Sequence, residues 1–345
     1  MLDCLAAAAG TRPNTTSLLL VFRLRHDPKL LDEVLRLFDW GTLTLADDDF
    51  QGISNNGKWF SDEIVDPLMQ LIQCSSNIQG SDQNGSRAAD SRILCFSSLL
   101  ITKGIREEEQ LKTARATVAK LDSAEPRPRR LNTKQQQDLD LAQQLIREHL
   151  ASRNRLIRRW IVKRITPQTE YLLFPVNPTE DHWCTVAVGL KDGPSRGIFY
   201  FDPYQHGNVE NGCTRFVQLL MQQIANLKPE LSGLWSSVRI VSAGQVVEGM
   251  SGCNNCGPIS VVFSDLFASG MLELGPGGQC SWSSAARALV GCEEVPPLTN
   301  AVWPAVRDAM ARLFRELMAR VRSAMFLYHG HIPIAVLLIN WYAGT

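Results

Sequence analysis

Asp181-His182-Trp183-Cys184-Thr185-Val186-Ala187-Val188-Gly189-Leu190, and after a turn Gly197-Ile198-Phe199-Tyr200-Phe201-Asp202, is the stretch on which the fold turns. In the first run Cys184, Val186, Val188 and Leu190 alternate with other residues, the period of a strand with one face on a core. Lys191-Asp192-Gly193-Pro194 is turn-forming, and Gly197–Phe201 is a second apolar run. Two strands joined by such a turn predict a hairpin. His182 stands at the mouth of the first strand and Asp202 at the end of the second. Pairing therefore makes them neighbours.

Outward from this hairpin the pattern alternates between strands and helices. Tyr171–Val176 is an apolar run ending in Asn177-Pro178, a strand and its turn. Phe216, Leu219, Leu220, Ile224 and Leu227 fit one helix face, closed by Lys228-Pro229. Val238–Val241 is another short strand. Cys256-Gly257-Pro258 then opens a run in which Ile259, Val262, Phe263, Leu266 and Phe267 share a buried helix face, with Gly270 at its end. Strands clustered between helices predict an α+β fold, a small and mostly antiparallel sheet packed between helices. Residues 1–43 read as a helical prelude and Ser75–Asp90 as a polar loop. Glu107–Lys120 and Lys134–His149 read as exposed helices separated by the polar break Ser123–Arg130. Beyond the Gly-rich Gly275–Gly278, Val302–Val321 is an amphipathic helix in a C-terminal appendage, residues 276–345.

The chain has 345 residues, 45% of them hydrophobic, which suffices for one large domain with appendages. Its formal net charge is zero, so no basic field points to nucleic acid. Nine cysteines are an odd number without a disulfide framework, and the N-terminus has no basic n-region. A reducing compartment, nucleus or cytoplasm, is expected. Met325–Ala343 is apolar, but His329, His331 and Pro333 make it a poor membrane span, and no membrane partner is expected.

Three residues fall where thiol chemistry would place them. Cys256 precedes a helix whose N-terminal partial charge favours a thiolate. Pro258 suits that first turn. Asp202 on the neighbouring strand can fix the tautomer of His182 while the other ring nitrogen faces the thiol. Nucleophile, base and orienter are then complete. Singly, each has a plainer reading: a small buried hydrophobe, a structural histidine, a turn-forming Asp-Pro. Cys253 and Cys256 form a C-x-x-C, but no second pair stands at zinc-site spacing, so neither metal nor cofactor is expected.

In order along the chain these segments resemble the ubiquitin-like-protein-specific cysteine proteases, the SUMO-protease group related to the adenovirus protease, with a papain-like fold. Trp59-Phe60-Ser61-Asp62-Glu63-Ile64 resembles the family's Trp-Leu-Asn-Asp-Glu-(Ile/Val) opening motif. Arg92–Ile105 resembles its next helix, Leu173–Trp183 its Pro-(Ile/Val)-Asn and His-Trp strand, Ile198–Asp202 its strand ending in the triad Asp, and Cys256-Gly257 its Asp-Cys-Gly. The resemblance implies a catalytic domain over residues 44–275. It implies His182 as base, Asp202 as orienter and Cys256 as nucleophile. It also implies a substrate-binding set of Trp59, Asp62 and Trp183, the two tryptophans walling a slot that admits only a Gly-Gly tail. The implied activity is a thiol protease or isopeptidase cleaving after Gly-Gly of a SUMO-type ubiquitin-like modifier, its partners being that modifier and its conjugates.

Three departures stand out. The family's oxyanion Gln lies about six residues before the nucleophile; here position 250 is Met and the nearest candidate is Gln245. Either the loop is longer or that donor is lost, which can cost on the order of 10²–10³ in rate. The residue before the nucleophile is Asn255 rather than Asp. Pro67 falls inside the helix that the opening motif should begin. Two other activities fit the same residues: an acyltransferase using the Cys and His, and a binder that holds the modifier without cutting it.

Overall fold

The computed structural model describes residues 15–38, 53, 58–79, 92–122, 132–177, 182–192, 196–204, 212–231, 238–244, 246–248, 254–275 and 277–328. At its centre is a five-stranded sheet in chain order: β1 (Ile93–Cys95), β2 (Tyr171–Val176), β3 (Cys184–Gly189), β4 (Gly197–Phe201) and β5 (Val238–Ile240). The middle pairs β2–β3 and β3–β4 are antiparallel, and shorter parallel pairs β1–β2 and β4–β5 are added at the two edges. The predicted hairpin is β3–β4, in the register Thr185↔Phe201 to Gly189↔Gly197.

The alternation sorts side chains onto two cores. Leu172, Phe174, Val176, Cys184, Val186, Val188, Ile198 and Tyr200 fall in one cluster. That cluster is completed by α6 (Gly212–Leu227), through Phe216, Leu220 and Ile224, and by Ile157 and Ile161. Leu173, Trp183, Ala187, Phe199 and Phe201 fall in the other, which packs on α7 (Cys256–Ala268). All of β3 is buried, so its intervening residues, expected to face solvent from the period alone, instead meet a second layer of helix.

The helical parts extend the sequence expectations and in two places correct them: of Arg92–Ile105, likened to a helix, Ile93–Cys95 is strand β1 and the helix begins only at Ser98. Residues 15–38 carry α1 (Leu20–His26) and α2 (Pro28–Leu37). The helix α3 spans Asp62–Gln79, so Ser75–Gln79, read as the start of a loop, is helical. Buried Ser75 and Ser76 and half-buried Ile78, which packs on the core, carry its inner face past the point where polar composition suggested a break. Pro67 lies inside α3. It deletes a single backbone bond within a helix whose far face is core, and packing outweighs the loss. The two exposed helices are α4 (Ser98–Asp122) and α5 (Thr133–Leu156), the latter running into a π-helical turn at Ile157–Val162. The break at 123–130 lies outside the described residues.

After α7 the chain forms a two-stranded ribbon of β6 (Leu272–Leu274) and β7 (Cys280–Trp282). Gly270, at φ +71°, makes the turn into it, a left-handed conformation that favours glycine. Then come α8 (Ser284–Val290) and α9 (Trp303–Tyr328). Both flanks join the central core: Leu18, Leu24 and Leu31 at one end and Trp303, Met310 and Leu317 at the other share one cluster with α7. The sequence showed α7 with one apolar face, whereas every residue from Cys256 to Phe267 is buried. A bond from the Leu20 N–H to Asp265 Oδ2 (2.6 Å) and an ion pair from Arg23 to Asp265 Oδ1 (3.1 Å) hold α1 against it. Among the described residues, no helix is long and apolar enough to cross a membrane; residues 329–343 of the apolar C-terminal stretch lie outside them.

Candidate active site

The hairpin brings His182 and Asp202 together. His182 Nε2 lies 2.8 Å from Asp202 Oδ1, and the Tyr204 backbone N–H donates to the same oxygen at 2.8 Å. An ionised carboxylate only accepts, so the imidazole proton belongs on Nε2 and the neutral ring's lone pair on Nδ1. Nδ1 is buried and has no hydrogen-bond partner among the described residues. The Tyr204 ring, 4.6 Å from the imidazole between centroids, packs on the histidine.

Cys256 is the first residue of α7 and is fully buried. Burial pushes its thiol up to about 11. The backbone N–H groups of Trp183, Gly257 and Cys256 itself, and then the Arg307 charge, pull the other way without overcoming it. Bonding between the sulfur and the N–H of Trp183 sets the thiol beside the residue that follows His182. The helix N-terminus was expected to favour a thiolate, but its pull is smaller than the cost of removing the sulfur from water.

Trp183 is buried and fixed at both ends. Its indole N–H donates to Phe60 O (2.8 Å), and its carbonyl accepts from Ser260 Oγ (3.0 Å), one turn into α7. Thr185 Oγ1 adds a bond to Ser260 O (3.2 Å), so the start of β3 is stitched to the helix that carries Cys256. Trp59, by contrast, is 38% exposed. Its neighbour Phe60 presses on Gly257, where a Cβ would stand 2.8 Å from Phe60 Cβ; only glycine permits this approach. Asp62, in the first turn of α3, bonds the Ser98 side chain at the start of α4, and burial raises its pKa. Gln245 lies outside the described residues, as does Cys253.

Among the described residues His182, Cys184 and Asp202 form a group of possible metal ligands, with donor atoms within 4.8 Å of one another. Two of the three are bonded to each other, and buried Cys184 already accepts from Tyr200 OH at 3.0 Å. The group therefore reads as two separate hydrogen-bonded pairs, His182 with Asp202 and Tyr200 with Cys184.

One residue that touches the site went unmarked in the sequence. Arg307, on α9, is fully buried. Its Nε donates to Asn255 Oδ1 at 2.8 Å and its Nη2 to the Asn254 carbonyl, the two residues that precede Cys256. The signal was its place at i+4 from Trp303 and i−3 from Met310, a cation on the apolar stripe of an amphipathic helix.

Residues 131–275 match the family model of the Ulp1 protease family, C-terminal catalytic domain. That segment of the chain is thus similar to the family's catalytic domain. The matched span holds His182, Asp202, Gln245 and Cys256, while Trp59, Asp62 and Arg307 lie outside it. None of the curated proteins matches the chain. Among solved structures, the SUMO protease Ulp1 with its catalytic cysteine oxidised to a sulfinic acid is 12% identical, with TM-score 0.43, over 84% of this chain and 95% of that one. The Ulp1 protease domain in complex with Smt3, the yeast ortholog of SUMO, is 12% identical, with TM-score 0.41, over 83% and 94%. The Xanthomonas campestris effector XopD bound to ubiquitin is 14% identical, with TM-score 0.32, over 75% and 92%. The matched segment folds as α+β around the five-stranded sheet, and residues from the two flanks, such as Leu18 and Leu317, pack on its core.

Proposed function

We propose that the chain is a thiol protease or isopeptidase that cleaves after the Gly-Gly of a SUMO-type ubiquitin-like modifier, maturing it or releasing it from conjugates. The observation that carries this reading is the 2.8 Å bond between His182 and Asp202, which leaves buried Nδ1 without a partner among the described residues, one residue before the Trp183 N–H that bonds the Cys256 sulfur. In the reaction His182 Nδ1 takes the Cys256 proton as sulfur attacks the Gly carbonyl. The developing oxyanion is held by backbone N–H groups at the start of α7, with Gln245 as a further donor. The same imidazolium gives its proton to the leaving amine, and a thioester remains. Water, deprotonated by His182, then releases the modifier's carboxylate and regenerates the thiol. Asp202 steadies the imidazolium without taking its proton. Trp59 forms the outer wall of the tail slot, Trp183 its fixed base and Asp62 an edge of the modifier surface.

The test is a panel of ubiquitin-like modifiers bearing a C-terminal electrophile, together with modifier–fluorophore substrates. Wild-type protein labels with a SUMO-type member and turns over its substrate; Cys256→Ser binds the modifier but neither labels nor cleaves. Turnover by Cys256→Ser would refute the assignment. A second reading, a binder that holds the modifier without cutting, draws on the burial of Cys256 and the raised pKa of its thiol. Modifier binding without labelling of the wild type would favour it.

A further inference from the structure

The contacts of Arg307 run to two pieces of chain that the proposed reaction needs in one arrangement. Nε and Nη2 hold Asn255 Oδ1 (2.8 Å) and the Asn254 carbonyl, the turn that delivers Cys256 to the start of α7. Nη2 also donates to Lys58 O (2.9 Å) and Nη1 to Ile53 O (3.3 Å), on the strip that leads into Trp59. The guanidinium carbon lies 4.8 Å from the centre of the Phe60 ring. Phe60 in turn touches Gly257 and accepts the Trp183 indole N–H through its carbonyl. A planar fork with five donors can span two strips of carbonyls at once; an ammonium cannot. Burying a guanidinium is expensive unless its donors are satisfied, so the arrangement has one well-defined geometry rather than several.

We propose that Arg307 is a positioning residue for cleavage: it locks the Asn254–Asn255 turn to the Lys58–Phe60 strip, so that the Cys256 sulfur and the wall of the tail slot are held in register. This rests on the reading of Cys256 as nucleophile. It gives α9, which lies outside the matched family span, a place in the active site. It also gives Asn255, at the family's Asp position, a function as an acceptor for the clamp.

The experiment compares Arg307→Lys, Arg307→Met and Asn255→Ala with the wild type, in the full chain. Three readouts are taken: melting temperature, turnover of a modifier–fluorophore substrate, and the rate of Cys256 alkylation by iodoacetamide at pH 8, located by mass spectrometry. Arg307→Lys keeps the charge and loses the fork. Its kcat falls about 10- to 100-fold with KM nearly unchanged, as misplacement on an ångström scale does, and its alkylation rate stays near wild type. Arg307→Met loses kcat alike, and its alkylation slows because a cation that favours thiolate is gone. Asn255→Ala, which leaves the arginine in place, loses kcat in the same direction by a smaller factor. Should Arg307→Met fail to fold, the other two variants decide. Wild-type kcat in folded Arg307→Lys and Asn255→Ala, with lowered melting temperatures alone, overturns the proposal and leaves Arg307 a core residue. Alkylation needs no modifier: if the wild type cleaves nothing, the proposed activity fails, while an unchanged alkylation rate in folded Arg307→Met would independently sink the Arg307 inference.

Discussion

Cys256 occupies the start of a helix and the inside of a core at once, and the two settings act on its proton in opposite directions. A helix N-terminus contributes about 1 kcal/mol, and rarely 2, toward the anion; full burial raises a thiol by more, here to about 11. An acid whose pKa is raised is neutral at pH 7, so Cys256 of the free protein holds a thiol rather than a thiolate, and in the proposed reaction His182 would remove the proton as attack begins. Alkylation of Cys256 by iodoacetamide in the free protein should therefore climb roughly 10-fold per pH unit from pH 7 to 9. A rate flat between pH 6 and 8 would show a preformed ion pair and defeat this account. His182 and Asp202 were legible as neighbours because each ends a strand of one hairpin, a relation that local alternation and a turn encode. The burial of Cys256 was not, since Phe60 and α9, which cover it, are some 200 and 50 residues away and leave no mark in its own segment.

At the level of elements, the position of α7 depends on what is laid over it. Its buried residue Asp265 faces away from the thiol, toward the N-terminal helix, and accepts from Leu20 N–H (2.6 Å) and from Arg23 (3.1 Å). Burial raises this carboxyl despite both partners. Arg23→Ala would leave the carboxylate with one backbone donor, and removing one member of a buried pair typically costs about 3–5 kcal/mol. A urea titration of Arg23→Ala should show the loss as a lower midpoint at unchanged slope. Arg23→Met with Asp265→Leu should regain part of it, since no buried charge is left unpaired, the remainder being the Leu20 N–H that loses its Asp265 acceptor. An Arg23→Ala midpoint within error of wild type would mean that α1 is not held through this pair. The α7 run was legible as a buried helix from its apolar spacing. Its one acid, Asp265, carried no hint that residues 20–23 would be its partners, because side chains 242 and 245 positions apart share no periodicity.

Over the whole molecule, the two flanks and the matched segment share one core, which holds the free thiols Cys74, Cys95, Cys256 and Cys280, while Cys184 and Cys213 lie in the second core. Strands β2 to β5 and α7 were readable because each rests on local alternation or apolar spacing; β1, read as the start of a helix, pairs Ile93 with Tyr171 across 78 residues, and neither that pairing nor the closure of residues 15–38 and 303–317 over α7 was readable, for the reason that defeated Asp265. The consequence for stability is a shared sensitivity to alkali. Burial raises Cys74 and Cys256 to about 11 and Cys213 and Cys280 to about 12. Cys95 and Cys184 are raised as well, again by burial first. Unfolded cysteine ionises near 8.5, so between about pH 9 and 11 the unfolded chain releases protons that the native state keeps. Stability rises with pH only where the unfolded state binds more protons; here it binds fewer, and stability falls. Each such thiol contributes a slope of about 1.4 kcal/mol per pH unit in that window, fully favourable below the unfolded pKa and lost as pH passes through the folded one. Several together match the whole stability of an ordinary domain within about one to two units. Denaturant midpoints under reducing conditions should hold steady from pH 7 to 8 and drop steeply from pH 9 to 10.5. Cys213→Ala should flatten that drop by about one proton's worth, and midpoints that stay level to pH 10.5 would show that these thiols are not held neutral inside the fold.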